Sequence, residues 1–323
     1  MQSHLIRRAQ LTAPLAGTAW AQPGRIAPPT RLIIPYGAGN ITDQVARVLM
    51  DVLGTLHGWR PAADNQPGVG GMLGTNNLIR APADGSVVGI VASAAMTILP
   101  NTQKQPRFDP LPELLSLGGV SISNSCLAVH ASLPVHSLAE LVAYARSRPA
   151  DKPLFYYSPG NGTVPHLNLE ALRRHLDMPL EHVPYRTSAA GNTDLLAGRV
   201  QVTMDSLSLT LPHIQSGLLR PLAFNGAARN AALPAVPLVI ELSPGLRLVN
   251  SWQGLFLPRA TPTAIAVRLS EALADAVRAP VFAERLPVGT TPLPLSPTEV
   301  MARATEERER IGRLIGEIGL ETD

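Results

Sequence analysis

Two glycine-rich turns constrain the fold of this chain more than any other feature of its sequence. Residues 35–43 read PYGAGNITD and residues 158–166 read SPGNGTVPH, and each turn follows a short apolar run and precedes a helix-patterned stretch. Each is expected to expose unpaired backbone N–H groups at the N-terminus of a helix, where an anion is stabilised. Because the turns lie in separate halves of the chain, they predict a cleft between two lobes that closes on a carboxylate.

The spacing of apolar residues predicts an α/β protein in which strands and helices alternate. The strand at residues 32–34 is followed by a helix that begins near Asn40 and places Val45, Leu49 and Val52 on one face. A similar order restarts at Ser137, and the elements after residue 250 are expected to return to the first lobe. We therefore predict mostly parallel sheets, with residues 30–127 and 251–323 in one lobe and residues 128–250 in the other.

The composition narrows the class of protein further. The chain has 323 residues, enough for two lobes with separate cores, and no apolar run approaches the roughly 18 residues of a membrane span. A net charge of +3 without a basic stripe, together with 4% aromatic residues, argues against a nucleic-acid partner. The single cysteine, Cys126, lies in a stretch predicted as one strand, residues 123–129, and is expected to be a buried thiol.

The first 21 residues have the pattern of an export signal. Arg7 and Arg8 precede a stretch of small and apolar residues, and the Ala-Trp-Ala sequence at residues 19–21 fits a signal-peptidase site before Gln22. We expect residues 1–21 to be removed on export. The paired arginines leave both the general secretory route and the twin-arginine route open.

A series of short blocks along the chain carries a resemblance to a known family. The blocks are residues 35–47 (PYGAGNITDQVAR), 65–74 (NQPGVGGMLG), 83–85 (ADG), 158–167 (SPGNGTVPHL), 182–186 (HVPYR), 194–198 (DLLAG), 205–207 (DSL), 211–214 (LPHI), 252–255 (WQGL) and 261–262 (TP). From about Leu32 to Leu320 the chain resembles the substrate-binding receptors of tripartite tricarboxylate transporters, the Bug-type periplasmic proteins.

The resemblance implies a periplasmic binding protein-like fold of type II, with two α/β lobes and a ligand cleft between them. Such a receptor works in the periplasm as a monomer, takes a small organic acid and delivers it to membrane permease subunits. Ligands of the family include di- and tricarboxylates, acidic amino acids and aromatic carboxylates. This chain departs from the family pattern at Gly39-Asn40, Gln66 and Thr187, which leaves its own ligand open.

The candidate ligand-binding residues lie on the two turns and at strand ends that face the cleft. They are Tyr36, Ala38, Gly39, Asn40, Asp43, Ser93, Ser158, Asn161, Gly162, Thr163, His166, Tyr185 and Asp205. The glycines permit close backbone approach to an anion, and Asn161 and Thr163 add side-chain donors. Asp43 has two open roles: an acid in the first helical turn after the N-cap Asn40, or an acceptor for an amino or hydroxyl group of the ligand. His166 is either a ligand contact or a packing residue behind the turn.

Other functions fit the residues less well. The glycines at 68–71 do not form a dinucleotide-binding motif after a strand, the histidines lack metal-ligand spacing, and Ser158 is not in a G-x-S-x-G motif. We therefore expect no metal, no cofactor and no enzymatic activity such as hydrolysis. A sensor that reports to a membrane histidine kinase remains an alternative, as does a cytoplasmic effector-binding module if residues 1–21 are retained. The charge run at residues 306–310 has spacing typical of a solvated helix face.

Overall fold

The computed structural model describes residues 27–102 and 108–319, so the predicted export signal lies outside the described residues. Within these ranges the chain forms eleven strands: β1 (Arg31–Ile34), β2 (Ala62–Asn65), β3 (Val87–Ala92), β4 (Leu114–Ser123), β5 (Ser125–His130), β6 (Leu154–Ser158), β7 (Leu180–Pro184), β8 (Val202–Ser206), β9 (Leu219–Asn225), β10 (Ser251–Pro258) and β11 (Thr290–Pro292). The same ranges contain thirteen α-helices: α1 (Ile41–His57), α2 (Met72–Ile79), α3 (Ser93–Thr97), α4 (Leu99–Thr102), α5 (Pro110–Glu113), α6 (Leu138–Ser147), α7 (Val164–His175), α8 (Ser188–Leu196), α9 (Leu207–Gln215), α10 (Val239–Leu242), α11 (Thr263–Arg278), α12 (Pro280–Arg285) and α13 (Pro297–Ile318).

Two sheets divide the described chain into two lobes. The first has six strands in the order β11-β4-β10-β3-β1-β2, and the second has five in the order β7-β6-β8-β5-β9. The prediction of mostly parallel sheets is wrong for the strands next to the lobe crossings. β10 pairs antiparallel with β3 and β4, and β5 pairs antiparallel with β8 and β9. Two strands of one sheet that are joined by a crossover helix must run parallel. β4, β5 and β10 instead adjoin the segments that pass from one lobe to the other, so this constraint does not apply to them.

The chain crosses between the lobes twice. Asn124 separates β4 from β5, and Asn250 immediately precedes β10. The stretch at residues 123–129, expected to be one strand, therefore belongs to two strands in different sheets. We propose these two asparagines as the lobe boundaries, the first slightly before the position near 127 that the sequence suggested.

Each lobe has its own core, and the C-terminal helix joins them. Leu49 of α1 packs in the core of the first lobe, and Leu141 of α6 packs in the core of the second. A further buried cluster at the lobe junction combines Ile98 of the first lobe, Leu167 of α7 and Ile311 of α13. Helix α13 therefore contacts both lobes.

The helices that follow the two glycine-rich turns begin for local reasons. Asn40 caps α1, since its Oδ1 accepts a hydrogen bond from the Thr42 N–H, and Gly58 ends the helix in the left-handed conformation with φ of 70°. Helix α7 follows an extended Thr163 and has Pro165 in its first turn, where a missing N–H costs nothing. Both helices start at the junction of the lobes, which brings the two turns together.

Part of the charge run at residues 306–310 packs inward rather than facing solvent. Glu307 accepts a hydrogen bond from the Trp252 indole N–H at 2.6 Å, and Arg308 forms an ion pair with Asp109 at 2.7 Å. The expectation of a solvated face is wrong for these two residues because α13 packs on the first lobe. None of the helices in the two described ranges has the length and apolar character needed to span a bilayer.

Candidate functional site

A cavity of about 40 Å³ lies between the lobes, at the N-termini of α1 and α7. Its walls are Tyr36, Asn40, Ile41, Thr42, Ala92 and Ala94 from the first lobe, Ser123, Asn124, Ser125 and Ser251 at the crossings, and Pro159, Thr163, Val164, Pro165, Asp205 and Ser206 from the second lobe. These wall residues include hydroxyl and amide groups but no arginine, lysine or histidine. In the described ranges, no group of three or more histidine, cysteine or acidic residues could hold a metal ion. The wall of the cavity therefore offers hydrogen-bonding groups, and no basic side chain, to a ligand.

The lobes touch each other around the cavity. A Cβ added to Gly70 would lie 2.8 Å from the carbonyl oxygen of Asn161, and one added to Gly37 would lie 2.5 Å from Cγ2 of Thr187. Gly70 also has φ of 62°, in the left-handed region that favours glycine. These two glycines let the backbones of opposite lobes approach closely, and the conformation is closed.

In the first turn, Asn40 caps α1 and also contacts the opposite lobe. Its Oδ1 accepts from the Thr42 N–H at 2.9 Å, and its Nδ2 donates to Ser188 Oγ at 3.3 Å. Within the described residues, the N–H groups of Ile41 and Asp43 have no hydrogen-bond partner. Because Ile41 lines the cavity, α1 presents to it an unsatisfied donor and the positive end of the helix dipole.

The structure places Asp43 within the first turn rather than on the cavity wall. Its Oδ2 accepts from the Gly39 N–H at 2.9 Å and pairs with Arg47 Nε at 3.0 Å, and its Oδ1 accepts from Asn65 Nδ2 at 2.9 Å. Burial alone would raise the pKa of Asp43, but the hydrogen bonds from Arg47, Gly39 and Asn65 outweigh burial and lower it. Of the two roles left open by the sequence, this geometry favours the structural one.

The second turn uses most of its own donors internally. The Gly162 N–H donates to His166 Nδ1 at 3.1 Å, and Thr163 Oγ1 donates to the Gly160 carbonyl oxygen at 2.8 Å. The N–H of Val164, which lines the cavity, has no hydrogen-bond partner among the described residues. The unpaired N–H of this turn that belongs to a cavity-wall residue is therefore that of Val164, which the sequence did not single out, and the N–H of Gly162 is already paired.

Two histidines and a tyrosine stack behind the second turn. The ring centroids of His166 and His182 are 4.0 Å apart, and those of His182 and Tyr156 are 4.8 Å apart. His182 Nε2 also forms a 2.7 Å hydrogen bond with Ser158 Oγ. Burial lowers the pKa of His166 to about 4, and burial together with His166 lowers the pKa of His182 to about 3. Ser158, through its bond to His182, and His166, through its stacking on His182, thus support the turn from behind. The lowered pKa values keep both imidazole rings neutral near pH 7.

Asp205 is a buried acid on the cavity wall. Its Oδ2 accepts from the Tyr157 hydroxyl at 3.2 Å, its Oδ1 accepts from the Ser206 N–H at 2.7 Å, and the Ser188 side chain also bonds to it. Burial raises the pKa of Asp205, and these hydrogen bonds oppose the rise. Because Ser188 Oγ also accepts from Asn40, a chain of hydrogen bonds links Asp205 to the first lobe in the closed conformation.

The remaining predicted residues divide between the cavity and its surroundings. The predicted residues on the cavity wall are Tyr36, Asn40, Thr163 and Asp205. Asn161 and Tyr185 instead line an outer groove of about 470 Å³, which also reaches Tyr36. The Tyr36 hydroxyl donates to the Gly70 carbonyl oxygen at 2.8 Å, so this ring stands between the cavity and the outer groove.

Three further predicted residues lie off the cavity wall. Ala38 and Gly39 are exposed on the outside of the first turn. Ser93 is buried within the first lobe, where its Oγ accepts from the Trp252 N–H at 3.3 Å. In the outer groove, the Tyr185 hydroxyl donates to Asp194 Oδ2 at 2.6 Å, which orients the ring but also occupies its donor.

Sequence reasoning missed the polar residues at the lobe crossings. Ser123, Asn124, Ser125 and Ser251 all line the cavity, and the Ser125 Oγ is buried without a hydrogen-bond partner in the described chain. A buried hydroxyl of this kind is costly unless something pairs with it. The signal in the sequence is Ser123-Asn124-Ser125, three polar residues at the start of a stretch whose pattern predicts a single strand.

Comparisons with known proteins agree with this geometry. A family model described as the tripartite tricarboxylate transporter family receptor matches residues 45–320. A UPF0065 protein from the gbd 5′ region of Cupriavidus necator is 32% identical over 88% of this chain and 87% of that protein. BugT of Bordetella pertussis is 27% identical over 97% of this chain and 95% of its own length.

Solved structures share the same two-lobed arrangement. The periplasmic binding protein BugD has a TM-score of 0.85 at 25% identity, covering 91% of this chain and 99% of its own. R. palustris Rpa4515 with adipate has a TM-score of 0.85 at 28% identity, covering 91% of this chain and 98% of its own. The fold is thus that of a type II periplasmic binding protein, two α/β lobes with a ligand cleft between them, and the chain belongs to the tripartite tricarboxylate transporter receptor family.

Proposed function

We propose that this chain is a periplasmic solute-binding protein that captures a small organic carboxylate for a transporter of the tripartite tricarboxylate type. The observation that carries the proposal is the pair of partnerless N–H groups, at Ile41 and Val164, that two lobes bring to one closed cavity. Each N–H belongs to the first residue of a helix, where the helix dipole adds to the attraction for an anion. The structure of Rpa4515 with adipate supports a carboxylate as the class of ligand.

The rest of the cavity wall selects the remainder of the ligand. Asn124 and Ser125 offer polar groups at the crossing, and Asp205 offers an acid held by three hydrogen bonds. An ionised Asp205 repels a second carboxylate placed beside it. The part of the ligand nearest Asp205 therefore carries a hydrogen-bond donor, such as a hydroxyl or amino group, or no polar group.

Binding involves opening and closing of the lobes and no covalent step. The closed cavity is small, so the ligand reaches it when the lobes separate, with the hinge at the two crossings near Asn124 and Asn250. Closure then returns Ile41 and Val164 to opposite sides of the carboxylate. The protein is a receptor rather than an enzyme, and a bound ligand is expected to be recovered chemically unchanged after incubation.

A thermal-shift screen of the chain from Gln22 identifies the ligand. Mono-, di- and tricarboxylates, acidic amino acids and aromatic acids form the panel. A ligand at a hundred times its dissociation constant stabilises the protein by about 2.7 kcal/mol, which raises the melting temperature measurably. A panel in which no carboxylate changes the melting temperature would contradict the proposal.

Proline substitutions test the two N–H groups directly. Val164→Pro removes the N–H at the first position of α7, where proline is favoured, and replaces the buried isopropyl group by a ring; the preceding Thr163 already has the extended conformation that proline requires (ψ 162°). A lost hydrogen bond to a charged group costs about 1.5–3 kcal/mol, so affinity for the screened ligand should fall about tenfold to a hundredfold. Ile41→Pro should act in the same way, since Asn40 before it is also extended.

Alanine and valine variants are the matched controls. Val164→Ala and Ile41→Val shorten the same side chains and keep the N–H groups, so both should retain affinity within a fewfold. If the proline and control variants lose affinity equally, the backbone donors do not hold the ligand. Calorimetric titration of all four variants, with melting temperatures to verify folding, gives the comparison.

The match to a transporter receptor favours transport over signalling to a histidine kinase. We infer that the protein works as a monomer, meets the permease subunits transiently, and is exported with cleavage after Ala21. N-terminal sequencing of the exported protein checks the cleavage site, and size-exclusion chromatography checks the monomeric state. Deleting the gene should abolish uptake of the screened ligand, and wild type but not Val164→Pro should restore it; unchanged uptake with a changed kinase output would favour the sensor.

A further inference from the structure

A second groove, of about 870 Å³, lies on the surface at the C-terminal end of α7, away from the cavity at its N-terminal end. Five arginines line it: Arg173 and Arg174 from α7, Arg247 from the segment before the second crossing, and Arg310 and Arg313 from α13. A basic surface could not be predicted from the sequence, because these arginines come from three separate segments. Folding alone brings them together.

The arginines of this groove are only partly neutralised. Glu170 accepts from Arg173 Nε at 2.6 Å and is 3.3 Å from Arg174 Nε, so one carboxylate serves both side chains. Arg247, Arg310 and Arg313 form no ion pair within the described chain. Asp177 and Glu317 also line the groove, and they leave its charge clearly positive.

The groove spans the junction of the two lobes. Arg173 and Arg174 belong to the second lobe, and Arg310 and Arg313 lie on α13, which packs through Ile311 against both lobes. A rotation of the lobes changes the distance between the two pairs of guanidinium groups. The present distance between these two pairs of guanidinium groups is therefore that of the closed conformation.

We propose that this arginine groove is a docking surface for an acidic, extended segment of another protein. Guanidinium groups bind carboxylates in bidentate pairs, and five of them from three segments, lining one groove, can pair with several acidic side chains of a single segment. The half-buried Leu314 on its wall offers an apolar contact for the stems of those side chains. A single phosphate or sulfate would fill only part of a groove of this size, and a flat bilayer would touch only its rim.

A labelled octaglutamate peptide is the probe, with its binding to the chain from Gln22 followed by fluorescence anisotropy at low and moderate salt. The double variant Arg310→Gln with Arg313→Gln should weaken binding about tenfold. The matched control is Arg268→Gln with Arg278→Gln on α11, which makes the same change in net charge at exposed positions outside the groove. The control should bind the peptide like the wild type.

Each other result overturns the proposal in a defined way. Equal losses in the two double variants would mean that the peptide senses only the net charge. Tighter binding of inorganic tripolyphosphate than of the peptide at the same groove would assign a small-polyanion site, and retention on vesicles with 30% anionic lipid, lost in Arg310→Gln with Arg313→Gln, would assign a membrane surface. Melting temperatures of both double variants, expected to equal that of the wild type, separate loss of binding from loss of folding. The outcome does not depend on which carboxylate occupies the cavity.

Discussion

The two glycine-rich turns reach the same cavity but are supported by different chemistry. The first turn is held by an ionised carboxylate, Asp43, which collects hydrogen bonds from the turn, from α1 and from β2. The second turn is held by neutral aromatic rings, His166 and His182, stacked on Tyr156. Similar sequence patterns thus produce equivalent donors, at Ile41 and Val164, from supports that respond differently to mutation and to pH.

The largest expected effect is the loss of the carboxylate that supports the first turn. Asp43→Ala removes a buried carboxylate that is the acceptor of the Gly39 N–H, one of the two acceptors of the Asn65 amide and the partner of Arg47. Breaking such a buried network should reduce the free energy of unfolding by about 3 kcal/mol. Urea denaturation monitored by circular dichroism measures the change.

A matched control lies on the same helix. Asp51 also pairs with an arginine, Arg285 at 2.6 Å, but both side chains are largely exposed, so Asp51→Ala should cost less than about 1 kcal/mol. Equal costs at Asp43 and Asp51 would show that the first turn does not depend on its carboxylate.

The second largest effect is a pH dependence that comes from the second turn alone. The pKa of His166 is about 4 and that of His182 about 3 in the folded protein, against an ordinary value near 6.5, so the unfolded chain binds more protons below pH 6.5. Stability is therefore unaffected by these groups above pH 6.5 and decreases as the pH falls toward 4, by up to about 1.4 kcal/mol per pH unit for each histidine. Nearby Glu170 opposes the lowered pKa of both rings, while Arg173 reinforces it.

The same pH interval leaves the first turn intact. The pKa of Asp43 is below its ordinary value, so the stability it contributes is fully present above that value and is lost only as the pH falls through the lower, folded-state pKa. Thermal unfolding between pH 7.5 and 5 should show a steeper dependence in the wild type than in His182→Gln. The exposed His136→Gln should keep the wild-type slope; the opposite ranking of these two variants would refute a role for the stack.

The starts of the two helices could be predicted from sequence because they depend on neighbouring residues. Asn40 as the N-cap of α1 and an N-terminal start for α7 near Pro165 follow from local rules, and the blocks that led to the family lie around them. The free donor at Val164 could not be predicted in this way. The Val164 N–H is unpaired because Val164 is the first residue of α7, and the Gly162 N–H is not available because it donates to the ring of His166, which stacks on His182 of β7.

The same distinction explains the residues missed at the crossings. Ser125 lies on the cavity wall because β4 pairs with β10 in one sheet while β5 pairs with β8 and β9 in the other. Those partner strands are distant in sequence, so the local pattern of residues 123–129 predicts only a single strand. Likewise, the structural role of Asp43 depends in part on Asn65, a residue distant in sequence that β2 places beside the turn.

The smallest expected effect compares the residues that precede the two helices. Asn40→Ala removes a side chain that accepts from the Thr42 N–H, and loss of such a cap costs about 1 kcal/mol. Thr163→Ala removes no cap, since its hydroxyl donates to the Gly160 carbonyl oxygen, which also accepts from Ser158 Oγ at 3.0 Å. Thr163→Ala should reduce the free energy of unfolding by about 0.5 kcal/mol. Asn40→Asp, which retains the capping oxygen, should recover most of the difference in urea denaturation. If Thr163→Ala costs as much as Asn40→Ala, then the second turn depends on its own hydroxyl and not on the histidines behind it.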